Sequence, residues 1–112
     1  MTAPRLNRKL VLETPEAVTD GSGGFNNIWQ PLGTVWAQVT ARSGREAVNQ
    51  GAPVSSTSYK IVVRAAPESA LQRPRPDQRF REGSRLFHIQ AVADTDVNAR
   101  FLTCYVIEET AK

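Results

Sequence analysis

Two short stretches with a period of two restrict what this chain can fold into more than anything else in it. Thr34-Val35-Trp36-Ala37-Gln38-Val39-Thr40-Ala41-Arg42 puts Val35, Ala37, Val39 and Ala41 on one face. Thr34, Gln38, Thr40 and Arg42 fall on the other. Tyr59-Lys60-Ile61-Val62-Val63-Arg64 repeats the pattern, with Tyr59, Ile61 and Val63 inward. Such alternation marks half-buried strands. Trp36 interrupts the polar face, which implies that both faces are covered there.

The connection between these strands, Ser43–Ser58, is long and polar. Tight hairpins use about two to five loop residues, and longer loops inside a small domain are usually functional. Ser43-Gly44-Arg45-Glu46 fits a capping box, in which the Ser43 hydroxyl accepts from the N–H three residues on and Glu46 reaches back. Gly51 suits a left-handed helix end. A short helix over Gly44–Gln50 is therefore expected. Gly51-Ala52-Pro53-Val54-Ser55-Ser56-Thr57-Ser58 has no charge and little apolar surface, so it is expected to order only against a neighbour.

The rest of the chain reads as further short strands. Arg8–Glu13 is a first strand with Leu10 and Leu12 on one face, closed by Thr14-Pro15-Glu16. Thr19–Asn27 is a glycine-rich turn. Ile28–Leu32 leads into the Thr34 strand, with Pro31 and Gly33 marking a bend. Pro67 can open a single helical turn over 65–72, and the prolines at 74 and 76 make 73–77 extended. Gln78–Arg81 is a short strand and Glu82-Gly83-Ser84 a turn. Arg85–Ala93 is a strand with Phe87, Ile89 and Ala91 inward, Asp94–Ala99 a hairpin loop, and Arg100–Glu109 the last strand. The expectation is an all-β fold: a small barrel or sandwich of about six strands in one domain over residues 1–112. No apolar run approaches the roughly 18 residues of a membrane span. The basic N-terminus lacks the apolar segment of a signal peptide, which points to synthesis in the cytoplasm.

A search for chemistry finds little. His88 is the sole histidine and Cys104 the sole cysteine, so neither an internal disulfide nor a cysteine-based zinc site can form. His88 lies mid-strand with no acid beside it in sequence, and Cys104 lies in an apolar strand as a core thiol. Asp94-Thr95-Asp96-Val97-Asn98 opens like a calcium loop, but Ala99 stands where glycine is needed and Tyr105 where glutamate is needed. The glycines at 21–24 are followed by neither nucleotide-binding motif. No catalytic residue, cofactor or metal is expected, and an enzyme is not.

The net charge of +3 is too small to announce a nucleic-acid binder. Its placement is uneven. Arginines 64, 73, 75, 79, 81 and 85 face only Glu68, Asp77 and Glu82 in the same stretch, so this stretch carries the whole excess. Arg73, Arg75, Arg79 and Arg81 are expected either in a salt-bridged face, solvated or between subunits, or near DNA phosphates.

Several of these segments, in order, resemble the phage head–tail joining family, also called head closure or stopper proteins. The matching residues are Leu10-Val11-Leu12-Glu13, Asp20-Gly21 through Gly24, Trp29, Val35-Trp36-Ala37-Gln38-Val39 and Gly44-Arg45-Glu46. They continue with Tyr59–Arg64, Asp77-Gln78-Arg79-Phe80, Gly83–Ile89 and Leu102-Thr103-Cys104-Tyr105. The arginine- and proline-rich run at 73–76 departs from that pattern. The resemblance implies a β-barrel subunit of a ring in the neck of a tailed phage or gene transfer agent, synthesised in the bacterial cytoplasm. It further implies contacts with its own copies, an adaptor or portal-side connector, and a tail terminator or tail-tube protein. Double-stranded DNA would pass without sequence recognition, and no membrane is involved. The projecting loop, about 43–58, then becomes the candidate for ring closure or channel lining, through Arg45, Glu46, Gln50, Val54, Ser55, Ser56 and Thr57. Two alternatives stay open. One is a tail terminator or tail-proximal ring protein. The other is a small nucleic-acid-binding barrel, which needs exposed aromatics on one face, whereas Trp36, Tyr59 and Phe87 read as core.

Overall fold

Leucines at alternate positions give the first strand its buried face, and each later strand adds one to three residues to the same interior. The computed structural model describes residues 3–42, 58–67, 70–95 and 100–109. Among these, the strands are β1 (Arg8–Thr19), β2 (Phe25–Ala41), β3 (Ser58–Arg64), β4 (Arg79–Glu82), β5 (Arg85–Asp94) and β6 (Phe101–Glu108). They close into a barrel in the order β1-β2-β3-β6-β5-β4, with every pairing antiparallel. The closure is uneven, because β1 meets β4 only at Val11↔Arg81, Leu12↔Phe80 and Glu13↔Arg79. The core comprises Leu10 and Leu12 of β1, Ala37 of β2, Ile61 and Val63 of β3, Phe80 of β4, Phe87 and Ile89 of β5, and Leu102, Cys104 and Val106 of β6. Val35, Val39 and Tyr59 pack partly buried against it, and Tyr59 meets Phe87 edge-to-face at 5.5 Å.

All-β architecture and the inward faces of β1 and β3 follow the alternation. Several local expectations do not hold. Thr14-Pro15-Glu16 does not end β1, which pairs with β2 through Pro15↔Trp29 to Thr19↔Phe25. Beyond Glu13 the strand has a neighbour on one side only, and an open edge tolerates a proline. The Thr19–Asn27 turn shrinks to the residues between Thr19 and Phe25. Pro31 and Gly33 do mark an irregularity, but inside a continuous strand: the register shifts between Leu12 and Glu13, and Gly33 takes φ +149.

Trp36 is 55% exposed, so the face expected to be covered is open. Ala41 is also exposed. In β5 the register shifts between Ile89 and Ala91. That bulge turns Ala91 outward and brings Val92 against the core. In the 65–72 stretch Ala70 N–H donates to Pro67 O at 2.9 Å and Arg73 N–H to Ala70 O at 3.2 Å, while residues 68–69, inside the expected helical turn, lie outside the described residues. The run expected to be extended turns at Pro76-Asp77. Asp77 takes φ 75, a conformation aspartate tolerates better than most residues. The buried Gln78 holds this turn by accepting from the Arg75 N–H at 2.9 Å. The helix expected at Gly44–Gln50 lies outside the described residues.

Candidate assembly surfaces

The β1–β2 ribbon changes character at Glu13. On the Arg8 side of that point β1 is flanked by β2 and, at Val11–Glu13, by β4. On the other side Thr14–Thr19 pairs only with Phe25–Gln30, and the ribbon leaves the barrel as a two-stranded arm. Its tip is a tight loop. The Asp20 carboxylate accepts from the N–H groups of Ser22 at 2.8 Å and Gly24 at 3.0 Å. Those two backbone bonds, Ser22 first, hold the Asp20 carboxyl below its ordinary range, so it is anionic at neutral pH. Gly21 and Gly23 take φ +81 and +87, which only glycine adopts freely. The arm exposes apolar groups: Phe25 at 70% and Ile28 at 40%.

A chain of contacts hooks this arm to the barrel wall. The Arg79 guanidinium lies 4.1 Å from the centroid of the Trp29 ring, and His88 meets the same ring edge-on at 5.8 Å. His88 Nε2 lies 2.8 Å from Glu109 Oε1. Glu13, at the bulge where the arm departs, accepts from Arg79 Nε at 2.7 Å and Arg81 Nε at 2.9 Å. Burial pushes the Glu13 carboxyl up, but the bonds from Arg81 and Arg79 outweigh it and leave the group below its ordinary value. A second set staples β1 to β4 and β5 to β6. Arg8 Nε donates to Glu82 at 2.7 Å, and Arg85 Nε donates to Glu108 at 2.8 Å. Those arginine bonds hold both carboxyls low.

Of the four arginines singled out from sequence, Arg79 and Arg81 therefore meet on Glu13 within the chain. Arg73 donates to Ala66 O at 3.0 Å, and Arg75 lies at the Gln78 turn. Arg45, Glu46, Gln50, Val54, Ser55, Ser56 and Thr57 lie outside the described residues. The base of their connection is defined: Arg42 N–H donates to Ser58 O at 2.9 Å, so the chain leaves and re-enters the barrel at one point. Cys104 is buried, and burial pushes its thiol up to about 12. No group of three or more metal-ligating side chains occurs among the described residues.

A third surface lies at the base of the ribbon. An open groove of roughly 570 Å³ runs beside Trp36, lined by Leu6, Val35, Val63, Ala65, Ala66 and Pro67 among others, with Arg64 as its charged residue. Lys9 stands opposite Trp36 in the β1–β2 register. Sequence reasoning missed this groove and the apolar arm. The available signal was Phe25 and Ile28 among glycines and asparagines, where no core pattern calls for them.

Comparison with known proteins adds what geometry alone does not. A chain from the virion of a native gene transfer agent particle is 49% identical, with a TM-score of 0.76, over 97% of this chain and all of that one. Protein SF1141 from Shigella flexneri 2a, in its solution structure, shares the fold at 22% identity, with a TM-score of 0.74 and full coverage of both chains. Curated proteins return no match. The family model for the phage head completion protein matches residues 1–109. A barrel with an apolar arm, a family match along almost its whole length, and a close structural likeness to a virion component agree: this chain belongs to the phage head completion protein family, a family of structural virion components.

Proposed function

We propose that this protein is a head–tail connector subunit, which forms a ring of its own copies in the neck of a tailed phage-like particle. The ring joins the DNA-filled head to the tail and lets DNA pass without reading its sequence. The observation that carries the reading is the 49% identity, over 97% of this chain, to a chain of a gene transfer agent virion. The partners follow: an adaptor or portal-side connector above the ring, and a tail terminator or tail-tube protein below it. The physics of the surface agrees. Copies around a closed ring meet head-to-tail, so two different surfaces of each subunit must complement one another. The exposed arm and the groove at its base are two such surfaces.

The connection at residues 43–57 has a part in this reading. Its uncharged tip suits a place near the DNA path, where strong positive charge would grip phosphates and slow exit. Removing residues 51–57, short of the barrel-closing Ser58, leaves the barrel folded and produces particles that leak DNA or lack tails. Normal particle yield with normal DNA retention would remove the loop from this role. For the reading as a whole, particles assembled without this protein should contain filled heads and free tails that do not join. Tailed, DNA-retaining particles in its absence would overturn it.

A further inference from the structure

The arm and the groove carry one inference that goes further and rests on the ring reading. We propose that the tip of the β1–β2 arm of one copy seats in the Trp36 groove of the adjacent copy.

Three observations lead there. First, the arm is apolar at exposed positions, Phe25 and Ile28. The alternation of a strand puts these two on opposite faces of the ribbon. An arm that is apolar on both faces suits insertion into a groove better than contact with a flat surface. Second, the groove supplies a matching apolar lining, with Trp36 at its edge and Leu6, Ala65, Ala66 and Pro67 along it. Third, the charges are complementary. The arm from Thr14 to Leu32 contains Glu16 and Asp20 and no lysine or arginine. Arg64 lines the groove, Lys9 stands opposite its Trp36 in the β1–β2 register, Arg5 precedes its Leu6 in the chain, all three are exposed, and no carboxylate is among its described lining residues. An acidic arm entering a basic-rimmed groove is steered and oriented by those charges.

The contact must be made between copies. The groove flanks Trp36, and from there β2 runs back to Phe25 through about 36 Å of strand at the usual rise per residue. The tip of a β-ribbon cannot return to a groove at its own base. Contact in trans places the arm of each copy on the next, a heterologous contact that closes as a ring in the proposed neck assembly.

The test is cross-linking in assembled particles carrying Phe25→Cys together with Ala66→Cys, treated with a short bismaleimide. The native Cys104 stays silent, because it is buried and its thiol is pushed up to about 12. Expected is a ladder of covalent multimers of this chain reaching a closed ring, with no ladder from either single variant. A Phe25→Cys variant that cross-links to itself would show a two-fold contact and overturn the proposal. So would a link to a different particle protein. Particles that hold the double variant in a neck ring and give no ladder would overturn the arm–groove contact and leave the ring reading standing. Absence of the parent protein from the neck would overturn both. A second measurement reads the same contact without chemistry. Phe25→Asp should keep the unfolding midpoint of the parent and lower the yield of tailed particles at least ten-fold, while an unchanged yield would count against the proposal.

Discussion

The two halves of β1 share a strand and little else. From Arg8 to Glu13 the strand contributes Leu10 and Leu12 to the core and sits inside a closed barrel. From Thr14 to Thr19 it has one neighbour and no core at all. The barrel half is completed within the chain. Its apolar face is covered, and its buried carboxylate, Glu13, is met by two arginines. The arm half pairs with the stretch of β2 that leaves Phe25 and Ile28 in water, which a subunit that worked alone would gain nothing by keeping. The barrel is the folding unit, and the arm is the part of the molecule that another surface completes. Damage to the first should be read in stability, and damage to the second in assembly.

The largest effect on this contrast comes from the barrel. Phe87→Ala removes a fully buried ring that packs on Tyr59. A loss of about 3–5 kcal/mol is expected, measured by urea unfolding. A loss below about 1 kcal/mol would show that the barrel core is not what holds the chain together.

Next is Glu13→Gln, which leaves Arg79 and Arg81 facing a neutral amide. Breaking a buried ion pair costs about 3–5 kcal/mol, and the partial exposure of Arg81 puts this site near the low end. The same carboxylate predicts a pH dependence. Its folded pKa lies below the ordinary 4.5. The stability it contributes is thus complete above about 4.5 and is lost as pH falls through the lower folded value. Glu82 and Glu108 act in the same direction. Stability should decline on acidification below that point, and Glu13→Gln should flatten part of the decline. An identical acid limb in parent and variant would contradict the assignment.

A smaller effect tests the hook between the halves. Trp29→Ala removes the ring held by Arg79 and His88. It should cost about 1–2 kcal/mol while raising amide exchange in 14–19 and 25–30 and leaving β3 and β6 protected. Uniform loss of protection would mean that the arm and barrel open as one unit. Smallest in stability is the pair Phe25→Ser with Ile28→Ser, expected within about 0.5 kcal/mol of the parent yet defective in forming tailed particles. A large loss of stability would show that the arm tip belongs to the folding unit.

What could be read in advance divides along the same line. Strands with one wet and one dry face announce themselves, so Leu10/Leu12, Ile61/Val63 and Phe87/Ile89 could be placed inward from alternation. Pro31 and Gly33 mark the irregularity opposite Leu12/Glu13 as a bend, but the bulge at Ile89/Ala91 has no such signal, and one extra residue there reverses every side chain beyond it. That is why Ala91 was expected inward and Val92 was not. The arm was hidden because a ribbon wet on both faces has no alternation, and Pro15 read as a stop. Trp36 reads as covered because an apolar ring interrupts the polar face, yet the strand pattern around it puts its position on the outer face, where it is exposed. The pairing of Glu13 with Arg79 and Arg81 joins residues far apart in sequence and depends on the β1–β4 closure, which no local pattern encodes.

The central claim is that this barrel is a repeated subunit at the junction of head and tail. A reconstruction of the particle neck tests it most directly. Expected is a closed ring of six-stranded barrels between head and tail, with each β1–β2 arm crossing onto the next barrel beside Trp36. Density for this chain in the capsid shell or at the distal end of the tail, or as isolated copies whose arms touch no neighbour, would contradict it.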